Sequence, residues 1–228
     1  MPVRELLYVP VIHTDSDLGS AAPALEQRSA SFFGEQRWAR HKAMVALFWQ
    51  QVTHYVHSIP AANLKIYQDG LLAGGDLGKK IIEEGAHRGS PNYIIILALM
   101  KRGAEIRPTE DASLLKEEYE HLRRLAQAPS SDKRPAAYEE YELRKDGLRD
   151  ERDRFVAQAI NKSLQEGEMG LLFMGAYHRV LPYLDKDIVV RPLKEPDKVR
   201  AYFEGLTQGK NEEELGPLAE YLASPIAQ

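Results

Sequence analysis

The segment that most constrains the fold is residues 151–178, which read ERDRFVAQAINKSLQEGEMGLLFMGAYH. Its first part predicts a helix, because apolar residues recur there at spacings of three and four and so share one side. With the leucine that precedes the segment, that side comprises Leu148, Arg152, Phe155, Val156, Ala159, Ile160 and Ser163. The apolar residues 171–174 then predict a strand, which ends at Gly175 shortly before His178. The segment therefore indicates a helix–strand unit with a cation on the buried side of the helix and a histidine beyond the strand.

The rest of the chain repeats this alternation of strand and helix. Further apolar runs predict strands at residues 6–12, 64–67, 104–107 and 187–192, and helical patterns separate them. Such alternation is typical of an α/β fold with a mostly parallel central sheet and helices on both faces. A chain of 228 residues is expected to form a single domain over 1–228. Within it we expect a helical excursion at about 111–150, with its first helix from about 112, and a helical tail over 206–228.

Several local features bear on the bounds of these elements. Pro10 predicts an irregularity or an early end in the first strand, because proline cannot donate a hydrogen bond to a neighbouring strand. Glycines at positions 70, 74, 75 and 78 predict a loosened chain before a short helix at about 79–84. Gly147 predicts a break in the helix that begins near Tyr138. Residues 92–102 predict a helix, and a buried strand through 93–97 is the alternative.

Composition excludes several classes of function. The chain has 30 basic and 34 acidic residues, a balance too close to favour nucleic acid or an anionic membrane as a partner. It has no cysteine, which excludes disulfides, thiolate catalysis and cysteine zinc sites and fits a reducing compartment. The first residues lack the long apolar segment of a signal peptide, and the longest apolar run, 93–100, is far shorter than a membrane span. We therefore expect a soluble, cytoplasmic protein.

Histidines or carboxylates follow four of the predicted strands: His13, Asp69, Glu110 and His178. In open α/β sheets, ligands bind beyond the carboxyl ends of the strands. These side chains are therefore expected to share one site. The alternative is that strands lead into loops, and loops are polar in any case.

Two kinds of chemistry suit these residues. His13 and His178 would bind a divalent metal ion together with Asp69 or Glu110, and the metal set we favour is His13, Asp69 and His178. Otherwise one of the histidines would act as a general base. The structural alternative is a pair of loop histidines that form only local hydrogen bonds.

Arg152 and Asp153 are candidates because they share a side of the predicted helix with Val156 and Ile160. A planar guanidinium could hold an anionic group of a substrate or orient a carboxylate of the site. The competing interpretation is a solvated helix, on which Arg149 with Asp153, and 150 with 154, form ion pairs at a spacing of four. We accept it for 150 and 154 alone.

Two further features are interpreted structurally. Ser90, followed by Pro91, is better explained as a helix cap than as a nucleophile. His54 and His57 lie one helical turn apart but lack the third ligand of a metal motif, so we expect ordinary helix residues.

The sequences ERDRFVA and LLFMGAYH resemble the E-R-N-x-x-M-A helix and the G-x-x-H strand end of the TraB, ChaN and erythromycin-esterase-like superfamily. The separation of Arg152 from His178 is similar to that of the family, and His13 resembles its histidine after the first strand. The chain departs from the family at Asp153, where Asn is usual, at Asp69, where Glu is usual, and at VPVIH, which lacks G-[ET]-x-H. The resemblance is confined to about residues 148–180.

The resemblance implies an α/β fold with a polar cleft and, in some members, hydrolysis by a metal or a His–carboxylate pair; other members bind haem. The expected function is therefore a hydrolase-like enzyme with a His, carboxylate and Arg cleft, in which Arg152 holds an anionic group of a small-molecule substrate. One alternative is a ligand-binding or regulatory protein that uses the cleft without turnover. Another is an interaction role for residues 111–150, and assembly of identical chains stays open.

Overall fold

The structure is a computed structural model that describes residues 3–12, 29–127 and 133–227. Its strands and helices in chain order are β1 (Arg4–Val11), α1 (Glu35–Ser58), β2 (Leu64–Gln68), α2 (Gly75–His87), α3 (Pro91–Lys101), β3 (Glu105–Arg107), α4 (Ala112–Gln127), α5 (Lys133–Ser163), β4 (Met169–Gly175), β5 (Ile188–Pro192), α6 (Pro196–Thr207) and α7 (Glu212–Ala223). A 3₁₀ turn, Leu181–Tyr183, lies between β4 and β5.

The five strands form one parallel sheet in the order β3-β2-β4-β1-β5, which confirms the α/β class. Alternate side chains of each strand point to opposite faces. Leu7 of β1 belongs to a core formed with α1, α2, α3, α6 and α7, whereas Leu6 belongs to a second core formed with Val156 and Ile160 of α5. Helices therefore cover both faces of the sheet, as predicted.

The connections of the sheet diverge between β2 and β4. After β2 the chain passes through α2 and α3 to β3 on one flank, and after β4 it passes β1 to reach β5 on the other flank. Ligands of open α/β sheets bind at such a point, beyond the carboxyl ends of the two strands. The backbone N–H of Asp69 donates to the carbonyl of Phe173 at 2.9 Å, so the ends of β2 and β4 lie side by side.

β1 continues through Pro10 to Val11, so the predicted irregularity or early end is wrong. Pro10 pairs with Met174 of β4, whereas β5 pairs with β1 only as far as Tyr8. Residues of β1 bond alternately to the two neighbours, and the carbonyl of Tyr8 accepts from Leu193 on the β5 side. The nitrogen of Pro10 therefore points to the β5 side, beyond the last residue of β1 that pairs with β5. The absence of an N–H group there removes no hydrogen bond from the sheet.

Two helices are more regular than the glycines predicted. α2 begins at Gly75, and a side chain at Gly78 would lie 2.2 Å from the carbonyl oxygen of Ala73. Close packing therefore explains that glycine. α5 runs without a break through Gly147, where an ion pair of 2.8 Å from Arg144 to Glu151 spans the glycine. A single exposed glycine costs a helix only about 1 kcal/mol.

Residues 91–101 are helical, so the strand alternative for 93–97 is wrong. The predicted helical excursion is present as α4 and the first half of α5. Within the predicted helical tail, Leu215 and Leu222 of α7 are buried in the core with α1. No helix in the described part of the chain has the length and apolar character needed to cross a membrane.

Candidate functional site

Five of the six predicted site residues are brought together at the carboxyl edge of the sheet. Asp69 directly follows β2, Glu110 lies beyond β3, and His178 lies beyond β4. Arg152 and Asp153 come from α5, which covers one face of the sheet. The sixth residue, His13, lies outside the described residues.

The carboxylate of Asp153 holds the imidazole of His178. The distance from Oδ1 to Nδ1 is 2.6 Å, and Oδ2 accepts a 2.7 Å hydrogen bond from the backbone N–H of Arg179. Asp153 is only 2% exposed, so this carboxylate is an acceptor fixed in place. In the neutral ring the proton therefore lies on Nδ1, which leaves the lone pair of Nε2 available.

Nε2 of His178 faces the second carboxylate of the site. It lies 3.6 Å from Oδ2 of Asp69, and both side chains are partly open to solvent. Gly175 borders this gap, because a Cβ there would lie 3.4 Å from Cδ2 of His178 and 3.8 Å from Oδ2 of Asp69. The glycine therefore leaves room for a small group beside the imidazole.

Opposing effects set the pKa of His178. Burial alone would lower it, but the hydrogen bond to Asp153 and the charges of Asp69 and Asp153 outweigh burial. The nearby guanidinium of Arg152 also lowers it. The net result is a pKa above the ordinary value for histidine, so the two carboxylates stabilise the imidazolium.

Arg152 binds three carboxylates from three parts of the chain. Its Nη2 lies 2.5 Å from Oε2 of Glu110 and 3.2 Å from Oδ1 of Asp69, and its Nη1 lies 2.6 Å from Oε2 of Glu118. The Nε also donates to both oxygens of Glu110, at 3.1 and 3.2 Å. Of the two predicted roles, this geometry favours the orientation of carboxylates over the binding of an anion.

The pKa values of this group reflect burial and pairing. Burial raises the pKa of Glu110 above its usual range, and the hydrogen bond and charge of Arg152 offset this only in part. Burial lowers the pKa of Arg152, but Glu110, Asp69 and Glu118 together raise it above its ordinary value. The guanidinium therefore stays charged at any pH at which the protein folds.

A buried polar network at the end of β2 holds the backbone of Gln68 and Asp69, and the sequence analysis missed it. The side-chain amide of Asn92 donates to Gln68 at 2.9 Å, and Gln68 donates to the carbonyl of Asp69 at 3.1 Å. Thr109 donates its hydroxyl hydrogen to the carbonyl of Gln68. Ser90 precedes α3 as predicted, but its hydroxyl donates to Asn92 at 2.6 Å and makes no capping hydrogen bond.

Tyr8 is a second residue that the sequence analysis missed. It is 3% exposed, and its hydroxyl lies 3.5 Å from the carbonyl oxygen of Gly175, beside the site. Burial raises the pKa of Tyr8 well above its usual value, with smaller contributions from Arg200, which lowers it, and from Asp69 and Asp153. A neutral hydroxyl is thus kept beside the end of β4. Within an apolar strand, the sequence alone gave no reason to separate Tyr8 from the core.

The metal prediction depends on His13. Within the ranges that the structure describes, no group of three His, Asp or Glu side chains is arranged to hold a metal ion. Asp69 and His178 are the described members of the predicted set, and their facing atoms lie 3.6 Å apart. Metal binding therefore stays a prediction.

The charged residues near Arg152 on α5 have different kinds of partner. Arg154 and Asp150 form an exposed pair at 2.8 Å, as predicted. Arg149 pairs with Asp146 at 3.4 Å, and Asp153 instead binds His178, so the competing interpretation of Asp153 is wrong. Of the residues on the predicted apolar side of this helix, Phe155, Ala159 and Ser163 are only partly buried, whereas the nearby Ala157 is buried.

No protein-family model, curated protein or solved structure matches this chain. The likeness to the TraB, ChaN and erythromycin-esterase-like superfamily therefore remains a prediction.

Proposed function

We propose that the protein is a hydrolase-like enzyme in which His178 acts as a general base and then as a general acid. The observation that carries this proposal is the geometry of one ring. Nδ1 of His178 lies 2.6 Å from a buried carboxylate, and Nε2 points toward Asp69 across a gap of 3.6 Å. In the usual arrangement of an acid–base histidine, a carboxylate binds Nδ1 and Nε2 is free to accept a proton.

In this proposal, Nε2 of His178 removes one proton of an attacking water molecule. The imidazolium that forms is stabilised by Asp153, which accepts the hydrogen bond from Nδ1 and carries the opposite charge. Asp69 accepts a second hydrogen bond from the nucleophile and orients it, and Arg152 fixes the other oxygen of Asp69. His178 then returns the proton to the leaving group.

The charges around the site bear on the substrate. Arg152 is surrounded by Asp69, Glu110 and Glu118, and Asp153 lies behind His178. An anionic group would meet carboxylates here, and the guanidinium is already paired with them. We therefore propose a neutral, ester-like small molecule as substrate in place of the anionic one first expected.

A panel of neutral p-nitrophenyl esters of increasing acyl length tests this function. We expect turnover by the wild type, and a loss of about 100-fold or more in kcat for His178→Ala, since acid–base groups contribute that much. His54→Ala is the matched control, because His54 is an exposed histidine of α1. Equal rates for the wild type and His178→Ala, or no turnover of any ester, would contradict the proposal.

Metal assistance is a variant of this proposal. Imidazole and carboxylate groups at His13, Asp69 and His178 would hold a divalent ion, which would supply Lewis acidity and a more acidic bound water. Metal analysis of the purified protein, beside His13→Ala and His178→Ala, tests it. Metal that stays with both variants would contradict this ligand set.

The alternative is a protein that binds a small molecule in the cleft without turnover. It is favoured by the fact that the charged groups already satisfy one another, as Arg152 does with Glu110 and Glu118. A ligand recovered with unchanged mass after long incubation would support it. Product formation would contradict it.

A further inference from the structure

The two helices that leave the site after Glu110 form an arm. We define this helical arm as residues 112–127 and 133–147, which are α4 and the first half of α5. None of its residues whose burial the structure describes is buried, and neither core contains one of them. Regions with few buried apolar contacts open at low free-energy cost. The unbroken helix α5 joins the arm to the half of α5 that packs on the sheet, and its other described contacts with the body are polar.

The two helices of the arm are joined by ion pairs. Arg144 of α5 binds Glu117 of α4 at 2.6 Å, and Arg124 binds Glu140 at 2.8 Å. These pairs are partly or largely exposed, and such pairs stabilise by at most about 1 kcal/mol each. They hold the helices to each other but do not attach the arm to the site.

Glu118 of α4 is different, because its partner is the arginine of the site. Its Oε2 lies 2.6 Å from Nη1 of Arg152, whose side chain is only 11% exposed. Asp111 fixes the start of α4 by accepting hydrogen bonds from the backbone N–H groups of Ser113 and Leu114. Two residues of one short stretch, Glu110 and Glu118, thus bind the same guanidinium, and about two turns of helix separate them.

The contact with Glu118 affects the acid–base pair, which is His178 and Asp69, because Arg152 binds both Glu118 and Asp69. Glu110 binds the Nε and Nη2 side of the guanidinium, and Glu118 binds the Nη1 side, so together they define its plane. In that plane Nη2 donates to Oδ1 of Asp69 at 3.2 Å. The other oxygen of Asp69 is the one that faces His178. Without Glu118 the guanidinium would keep Glu110 and Asp69 as partners but would lose the contact that holds its Nη1 side.

We propose that Glu118 is a positioning residue of the site, which acts through Arg152 and Asp69 and makes the acid–base pair depend on where the helical arm lies. The catalytic part of this inference rests on the proposed hydrolase function. The positioning part rests on the contacts alone.

The test compares Glu118→Gln with Glu120→Gln. Both variants remove one negative charge from α4 at nearly constant size. Glu120 is 40% exposed, and its Oε1 lies 3.9 Å from Nζ of Lys116 on the same helix. Protein with ¹⁵N-labelled arginine gives the hydrogen-exchange rate of the Arg152 Nε–H group, which Arg152→Lys identifies. Steady-state kinetics on the best neutral ester give kcat and KM, and urea unfolding checks that both variants fold.

We expect Arg152 Nε–H exchange to become about tenfold faster in Glu118→Gln, and kcat to fall about tenfold with KM within about twofold, because misplacement affects reaction more than binding. Glu120→Gln should match the wild type in both measurements. Exchange in Glu118→Gln equal to that in Glu120→Gln would overturn the inference, even if kcat fell. If the wild type hydrolyses no ester, the proposed function fails alone, and the exchange rates still decide the positioning role.

Discussion

Asp153 and His178 form a close pair in the site, with Oδ1 and Nδ1 separated by 2.6 Å. Asp153 is 2% exposed, and its second oxygen is held by the backbone of the residue that follows His178. The imidazole is thus fixed from the side that faces the protein. Its other nitrogen faces Asp69 and the cleft.

Removal of the Asp153 charge should lower the pKa of His178. Burial already lowers that pKa, and the hydrogen bond to Asp153 is the largest effect that raises it. A histidine titration by NMR should therefore give a lower pKa for His178 in Asp153→Asn than in the wild type. Asp150→Asn removes the same charge from the same helix, where Asp150 pairs with Arg154, and should shift the pKa less. Equal shifts in the two variants would contradict the pairing.

The same pKa makes stability depend on pH. Because the folded-state pKa of His178 lies above the ordinary value of 6.5, its protonation stabilises the folded state. That contribution is complete below pH 6.5 and is lost as the pH rises through the folded-state pKa. In Asp153→Asn this part of the pH dependence should shrink.

A methyl group at Gly175 should block the site without unfolding the protein. Its Cβ would make ordinary van der Waals contacts, at 3.4 Å to Cδ2 of His178 and 3.8 Å to Oδ2 of Asp69. For Gly175→Ala we expect a free energy of unfolding within about 1 kcal/mol of the wild type. We expect ester hydrolysis to fall by about tenfold or more, because the space for the nucleophile is filled. Gly216→Ala, which meets nothing within 4 Å, is the control; full activity in Gly175→Ala would contradict this account of the gap.

Removal of the Arg152 charge should destabilise the protein most at neutral pH. Arg152→Met leaves Asp69, Glu110 and Glu118 close together without a cation, and loss of one partner from a buried pair costs roughly 3–5 kcal/mol. Arg152 lowers the pKa of Glu110, so without the cation that pKa rises further, and protonation of Glu110 restores stability as the pH falls. Urea unfolding at pH 7 and pH 5 should therefore show the larger deficit at pH 7. Arg154→Met, at an exposed ion pair, should cost under about 1 kcal/mol; a deficit for Arg152→Met no larger than that would contradict the arrangement.

His41 should make the protein less stable in acid. It is 6% exposed against the ring of Tyr202, and burial lowers its pKa from 6.5 to about 4. Below pH 6.5 the unfolded chain binds a proton at His41 that the folded protein does not, so stability falls between pH 6.5 and about pH 4. The loss amounts to roughly 3 kcal/mol, at about 1.4 kcal/mol for each pH unit. In unfolding measurements His41→Asn should lack this slope, and an unchanged slope would show that His41 is not the cause.

Much of the site could be predicted from the sequence because strand ends are local features. Asp69 and His178 each follow an apolar run that forms a strand, and parallel strands end at one edge. The helical spacing placed Arg152 and Asp153 on the buried side of α5 in the same way. These predictions needed only the order and type of the elements.

The remaining part of the site depends on contacts between distant residues. Glu118 lies in a charged helix whose pattern indicates solvent exposure, and only the position of α4 beside α5 brings it to Arg152. Ser90 has the sequence of a helix cap, but Asn92 accepts its hydrogen bond because a buried amide needs a partner. The sequence left two roles for Arg152, and the choice required knowledge of its neighbours. Pairwise geometry of this kind has no signal in spacing alone.

The tautomer of His178 tests the central claim most directly. Long-range ¹H–¹⁵N NMR of the imidazole, recorded above the pKa of His178, shows which nitrogen carries the proton. We expect a protonated Nδ1, bound to Asp153, and an unprotonated Nε2 that can accept a proton. A ring protonated at Nε2, with Nδ1 free, would contradict it.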